Sequence, residues 1–321
     1  MKKRLALLCV VTFLAMPLGA LAQEGPYPNK PVKFITASVG SPQDVIGRLI
    51  GQKLGVLWGK PVVVENRPGA GSLLSITTAA RAAPDGYSIL LSSSGFTVSP
   101  SIMSSPGYDA EKDFIPVVLI ASTPNIIVSS MQLPATSLRA AVELAKSRSL
   151  NYGSPGLGTT PQLSAEYLFK SLAKVPVTHV PYSGASPAVA AVAGGQIELA
   201  SVAMPAAVQL IKGGKVRALA VTSNRRTKIL PDVPTIAEAG FPGFEDATWV
   251  AIWVQKGTSP EVVEKLSTDV QSILAQSEFK EQLAVLGFEP SEVTPKQFAA
   301  YQKQELAKWA KVVKETGAKQ D

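Results

Sequence analysis

The sequence predicts an α/β protein built as two lobes, and three observations carry that prediction. Apolar runs of β-type composition alternate with helix-period segments through most of the 321 residues. Five pairs of a hydroxyl residue followed by proline punctuate the chain where helices begin. A strand, turn and helix pattern near the start recurs a little over a hundred residues later.

The alternation places strands at Val32–Thr36, 62–65, 88–92, 115–121, 126–130, 150–152, 178–180, 198–202, 216–222 and 249–254. Helical spacing falls between them at 45–54, 138–146, 162–172 and 187–193, and two longer helices at 260–276 and 295–314 close the chain. Short strands separated by helices argue for βαβ units and mainly parallel sheets. Helices are expected to start at Ser41-Pro42, Thr160-Pro161, Ser186-Pro187, Ser259-Pro260 and Thr294-Pro295. The hydroxyl caps free amides there, and proline at the first helical position forfeits no hydrogen bond. The recurring pattern is VKFITASVGSPQDVIGRLIGQKL, echoed by LNYGSPGLGTTPQLSAEYLFKSL. If each opens its own sheet, each lobe presents a strand-end turn and a helix N-terminus. Ligands of open α/β sheets sit at such strand ends, so two lobes facing each other make a cleft.

The first residues, MKKRLALLCVVTFLAMPLGALAQ, have the layout of a secretory leader. Three cations precede an apolar run, and Ala20-Leu21-Ala22 forms the small-residue cleavage site, which places the cut after Ala22. The competing reading is an uncleaved membrane anchor; Pro17 and Gly19 break the run and favour cleavage. Cys9, the only cysteine, lies inside that leader, so the exported chain has no thiol for a disulfide, a nucleophile or a metal. Losing Lys2, Lys3 and Arg4 lowers the formal net charge from +7 to +4. The remaining cations are scattered, and 303–319 mixes Lys with Glu at near-helical spacing. That is a solvated helix face, and no nucleic-acid partner is expected.

The glycine-rich turns lack the features that nucleotide phosphate requires. After Gly156-Leu157-Gly158 the third glycine of G-x-G-x-x-G is missing, and Gly69-Ala70-Gly71 fails in the same way. Gly153 and Gly158 have P-loop spacing, but Thr159 stands where the lysine belongs. The run Leu91-Ser92-Ser93-Ser94-Gly95 lacks the first glycine of a nucleophile elbow. His179, the single histidine, sits in a strand-like context that reads as packing, and one histidine cannot form a two-histidine metal site. No cofactor is expected. What remains is anion binding by backbone amides, because Gly, Ser and Thr let amides approach closely and a helix N-terminus adds about half a positive charge.

The marks YPNKPVKFI, PVVVENRPGAGS, AAPDGYSILLSSSG, KDFIPV, LNYGSPGLGTTPQL, HVPYSGASPAV, GGKVRALAVTS and LPDVPTIAEAGFPGFE follow one another from Tyr27 almost to the C-terminus. In that order they resemble the periplasmic solute-binding receptors of tripartite tricarboxylate transporters, the Bug receptors. The resemblance implies a two-lobe, type II-like periplasmic binding protein with a ligand cleft between two α/β domains. It implies domain boundaries of 23–124 with 247–321 for domain I and 125–246 for domain II, after a signal peptide at 1–22. The chain would cross outward near 123–125 and return near 246–248. It implies a periplasmic monomer that binds a small carboxylate with bridging waters and delivers it to a membrane permease.

By resemblance, the first binding turn comprises Ala37, Ser38, Val39, Gly40, Ser41 and Asp44, and the second Ser154, Gly158, Thr159, Thr160 and Gln162. Ser93, Ser94 and Gly95 would support the site from the first lobe, and Tyr182, Ser183 and Gly184 from the second. Asp44 has two readings: a capping-box residue bonding back to the Ser41 amide, or a group beside the ligand. The first turn departs from the family pattern P-F-x-A-G-G-x-x-D by one residue and one glycine. Apolar Val202-Ala203-Met204-Pro205 and Phe96 predict a ligand with one carboxylate and an apolar or aromatic body. Two other classes stay open: a secreted enzyme using Asp44 or His179 as base, and a sensor of the same fold that hands its closed form to a signalling partner.

Overall fold

The structure, a computed structural model, describes residues 25–318. The leader reading falls at 1–22, outside the described residues. Strands β1 (Val32–Thr36), β2 (Val62–Asn66) and β3 (Ser88–Ser93) pair in parallel. They carry helices α1 (Pro42–Trp58), α2 (Leu73–Ala80) and α3 (Gly95–Ile102). The 17-residue strand β4 (Phe114–Ser130) then leads into α4 (Leu138–Ser147), β5 (Leu150–Ser154) and α5 (Thr160–Glu166). A π-helical turn, Tyr167–Leu172, extends α5. Next come β6 (Val177–Pro181), α6 (Ala185–Ala193), β7 (Leu199–Ala203), α7 (Val208–Lys212) and β8 (Val216–Val221). The chain finishes with β9 (Ala247–Gln255), α8 (Pro260–Leu274), α9 (Ser277–Val285), β10 (Glu289–Pro290) and α10 (Pro295–Thr316).

The strand order is β2-β1-β3-β9-β4-β7-β5-β6, and β4 serves both lobes. Its first half pairs with β9 as far as Pro124↔Ala247, and from Asn125 onward it pairs with β7 and β8. The two strands expected at 115–121 and 126–130 are therefore one. Pro124, which has no N–H to give to a ladder, sits where the ladder changes partner. The sheets are mixed rather than mainly parallel: β9 runs antiparallel to β3 and β4, and β4 antiparallel to β7 and β8. That follows from crossing between lobes on neighbouring strands, since a chain that leaves on β4 has to return on β9.

Helices cover both faces of each sheet. Under α1, α8 and α9, the first lobe buries Phe34, Ile46, Ile50, Leu266 and Phe279. On its other face Phe96 stacks on Trp253 with ring centroids 4.4 Å apart, beside Ile76 and Phe298. The second lobe buries Leu138, Tyr152 and Phe169 on one face and Val189, Val192 and Val208 on the other. Removing a fully buried ring such as Phe96 would cost about 3–5 kcal/mol. The last helix is tied down by polar bonds: Trp253 Nε1 donates to Gln302 at 2.8 Å, and Trp249 and Trp309 both donate to Glu305.

Three of the five expected hydroxyl caps form. Ser41 and Ser259 accept from the amides of Asp44 and Val262, and Thr294 makes a capping box with Gln297. In α5 the N-cap is Thr159, and in α6 it is Gly184, so Thr160 and Ser186 lie inside their helices. Helices α2, α3, α7 and α9 are not among those expected from the sequence. No capping hydroxyl marks α2, Pro100 sits inside α3 and masks it, and α9 follows α8 with almost no linker.

Where the lobes exchange strands, a polar cluster is buried. Asn125 Nδ2 and Ser164 Oγ both donate to Asp246 Oδ2, at 2.7 and 2.5 Å, while Thr222 accepts from the Asn125 amide and donates to the Asp246 carbonyl. Burial pushes the Asp246 carboxyl up from 3.8 to about 6, outweighing Lys308 and the Ser164 hydroxyl. On β6, burial lowers His179 from 6.5 to about 4; its Nε2 lies 2.7 Å from Ser154 Oγ and its ring packs on Tyr152.

These two groups oppose each other in pH dependence. The folded state holds a proton on Asp246 more tightly than the unfolded state, so its contribution is absent at pH 7 and grows as pH falls through 6 toward 3.8. The unfolded state protonates His179 first, so its contribution is present above 6.5 and is lost on the way down to about 4. Asp246→Asn removes only the first, and its melting temperature should fall more steeply between pH 7 and 5 than the wild type's. Parallel pH profiles in calorimetry would take Asp246 out of this balance.

Candidate functional site

The lobes meet across the carboxyl ends of β1, β3, β5 and β6. Ser38 Oγ donates to the Ser183 carbonyl at 2.7 Å, and Ser94 Oγ lies 3.0 Å from Thr160 Oγ1. Gly71 (φ +62°) sits against the Leu157 carbonyl so closely that a Cβ there would overlap its oxygen. Each strand-end turn thus abuts a neighbouring turn of the other lobe: 37–41 faces 183–186, and 154–160 faces 70–72 and Gly95.

Between them lies a cavity of about 50 Å³. A buried water needs about 10–15 Å³ of such space, so the cavity holds a few waters or a very small solute. Ala37, Ser38, Ser41, Ser93, Thr159, Thr160 and Gly184 line it, all from the predicted set. Pro42, Gln43, Gly71, Ser72, Pro155, Pro161, Ala185, Ala203 and Thr248 complete the wall. No Asp, Glu, Lys, Arg or His is among them. The first turns of α1 and α5 border this space, and the first amides of a helix have no partners within it. A larger groove of about 450 Å³ borders Arg225, Glu289 and Tyr301, but Arg225 is already paired with Glu289 at 3.1 Å and neither the 37–41 turn nor the 154–160 turn lines it.

The other predicted residues stand behind the wall or at its rim. Val39 and Gly40 are exposed at the tip of the first turn, and Ser183 is exposed beside Ser38. Ser94 and Gly95 are buried at the start of α3. Ser154 is occupied by His179 and by the Gly156 amide. Gly158 lies against Gly95, Tyr182 against Gly153, and Gln162 is buried with its Oε1 unpartnered.

Asp44 does not bond back to the Ser41 amide, and it does not line the cavity. Its Oδ2 accepts from the Gly40 amide at 2.9 Å rather than from Ser41, and both oxygens bond Arg48 while Oδ1 accepts from Asn66. Burial alone would raise this carboxyl, but the hydrogen bonds from Arg48, Asn66 and Gly40 outweigh it and hold the group below its usual range. The carboxylate fixes the shape of the turn from behind. His179 does not line the cavity either.

Phe96 and Met204, expected to make one end of the cleft apolar, belong to the cores of the two lobes, and Val202 points into the second core. Only Ala203 of that run reaches the cavity. The residues missed by sequence reasoning had weak signals. Gln43 stands inside the helix-capping segment, Gly71 and Ser72 close the GAGS run that failed as a dinucleotide motif, and Thr248 lies in the returning crossover.

The chain matches the model of the tripartite tricarboxylate transporter family receptor over residues 46–318. It is 35% identical to protein BugT of Bordetella pertussis over 298 residues, covering 91% of each chain. It is similar to the structure of R. palustris Rpa4515 with adipate, with a TM-score of 0.87 and 34% identity over 91% of this chain and 98% of that one. It is also similar to MatC of Rhodopseudomonas palustris with bound malate, with a TM-score of 0.83 and 31% identity over 89% of this chain and all of that one (100%). With a family match over most of its length, this chain belongs to the tripartite tricarboxylate transporter receptor family.

Proposed function

We propose that the protein captures a small carboxylate in the cavity between its lobes and delivers it to a membrane permease of the tripartite tricarboxylate type. The observation that carries this reading is the uncharged wall of hydroxyls, turn backbone and two helix starts between the lobes. Such a wall suits an anion held by aligned amides, each helix start adding about 0.3–1 kcal/mol and up to ~2 when partly buried. The adipate and malate of two similar structures support the ligand class. In this reading the leader is cut after Ala22 and the exported monomer works in the periplasm. Residues 23–124 with 247–321 and residues 125–246 move as two bodies about 123–125 and 246–248. The direct contacts come from Ala37, Ser38, Ser41, Ser93, Thr159, Thr160 and Gly184. Val39, Gly40, Asp44, Ser94, Gly95, Ser154, Gly158, Gln162, Tyr182 and Ser183 shape and support the turns. The role assigns no bond-making step to any residue.

A thermal-shift panel of small mono-, di- and tricarboxylates on residues 23–321 tests the reading. A ligand of the folded state at 100 times its Kd adds about 2.7 kcal/mol and raises the melting temperature. If none of the acids does so, while uncharged solutes do, the carboxylate reading falls.

The contact between Gly71 and the Leu157 carbonyl tests the closing motion. Gly71→Ala should weaken ligand affinity by at least about tenfold, because the added methyl keeps the lobes apart. The ligand-free protein should lose only the roughly 1–2 kcal/mol of an alanine in the left-handed region. Unchanged affinity in calorimetry would mean that the ligand does not require this approach of the lobes.

A further inference from the structure

The hydroxyls around the cavity are not equivalent, because the protein has already committed the hydrogens of some of them. The Asp246 carboxylate anchors a chain of bonds reaching from the buried hinge to the wall. Asn125 Nδ2 donates to Asp246 Oδ2, so the Asn125 amide oxygen faces the other way and accepts from Thr248 Oγ1 at 2.7 Å. Thr248 has one hydroxyl hydrogen, and it is spent there. Its contact with Thr160 Oγ1 at 2.9 Å must therefore be donated by Thr160. With that hydrogen spent, the 3.0 Å contact between Thr160 and Ser94 is donated by Ser94. The polarity of the whole chain runs from Ser94 through Thr160, Thr248 and Asn125 to Asp246.

Thr160 and Thr248 both line the cavity, and each offers it only an unused lone pair. Neither can donate to a carboxylate. At Ser41 and Ser72 the situation is reversed. Ser41 Oγ accepts from the Asp44 amide and Ser72 Oγ from Gln43 Nε2, which leaves both hydroxyl hydrogens free. The cavity thus has donors at Ser41 and Ser72 and an accepting side at Thr160 and Thr248, while Ser38 and Thr159, which donate to the Ser183 and Gly156 carbonyls, can likewise only accept.

Building on the carboxylate reading above, we propose that the accepting side recognises a hydrogen-bond donor on the ligand, and that the preferred ligands are small hydroxy-carboxylates. An ammonium group would also donate, but no carboxylate lines the cavity to compensate a buried positive charge. A ligand hydroxyl that donates to one of these lone pairs gains a hydrogen bond that a ligand without a donor cannot make.

Calorimetry with matched pairs tests this: lactate against propionate, 3-hydroxybutyrate against butyrate, and malate against succinate. For at least one pair, the hydroxy acid should bind about tenfold more tightly than its deoxy partner. Thr248→Val should bring that ratio below about threefold while leaving the Kd of the deoxy acid within threefold, and Thr248→Ser should keep the preference. Equal affinities in every pair, a preference that survives Thr248→Val, or aspartate binding more tightly than malate would each overturn the proposal. The wild-type pairs decide the question even if the valine variant does not fold. Binding of deoxy acids alone defeats only this inference, whereas no binding of any acid defeats the carboxylate reading with it.

Discussion

A carboxylate buried where two sheets share one strand has to be satisfied by its surroundings, and the organisation of both lobes answers to that demand. Asp246 directly precedes the returning strand β9. Its Oδ2 takes hydrogens from Asn125, in the middle of β4, and from Ser164 on α5. Strand exchange, helix position and cavity wall are thereby joined through one acceptor. In a low-dielectric setting an incomplete network is costly, and Oδ1, which has no hydrogen-bond partner and only Lys308 Nζ at 3.9 Å, is where that cost falls.

The same logic explains why the strand-end turns are shaped from behind. Asp44 and Ser154, both conspicuous in the sequence, do not face the cavity, and each organises a turn that does. Asp44 holds the Gly40 amide and is itself held by Arg48 and Asn66, which leaves the wall free of charge. Ser154 bonds the Gly156 amide and leans on His179, which burial keeps neutral at physiological pH.

Much of this was legible in the sequence wherever the signal is local. Ser41-Pro42, Ser259-Pro260 and Thr294-Pro295 mark helix starts because a cap needs only its own first turn. The two matched strand, turn and helix patterns became β1 with α1 and β5 with α5. What depends on distant partners was not legible. The antiparallel direction of β9 is set by pairing with β3 and β4, and Pro100 inside α3 reads as a break although the helix forms. At the site, the turns were found but their wall was not. Gln43, Ser72 and Thr248 reach the cavity only through tertiary placement, while Phe96 was drawn inward by stacking on Trp253.

The absence of any charged side chain from the cavity wall has a consequence for the conditions under which it works. Fixed dipoles at contact distance are hardly screened, whereas exposed ion pairs weaken within a Debye length of about 8–10 Å at physiological ionic strength. An anion held by amides and hydroxyls in this way keeps its grip as salinity rises. Capture of that kind answers to solute concentration rather than to the ionic composition of the surrounding medium.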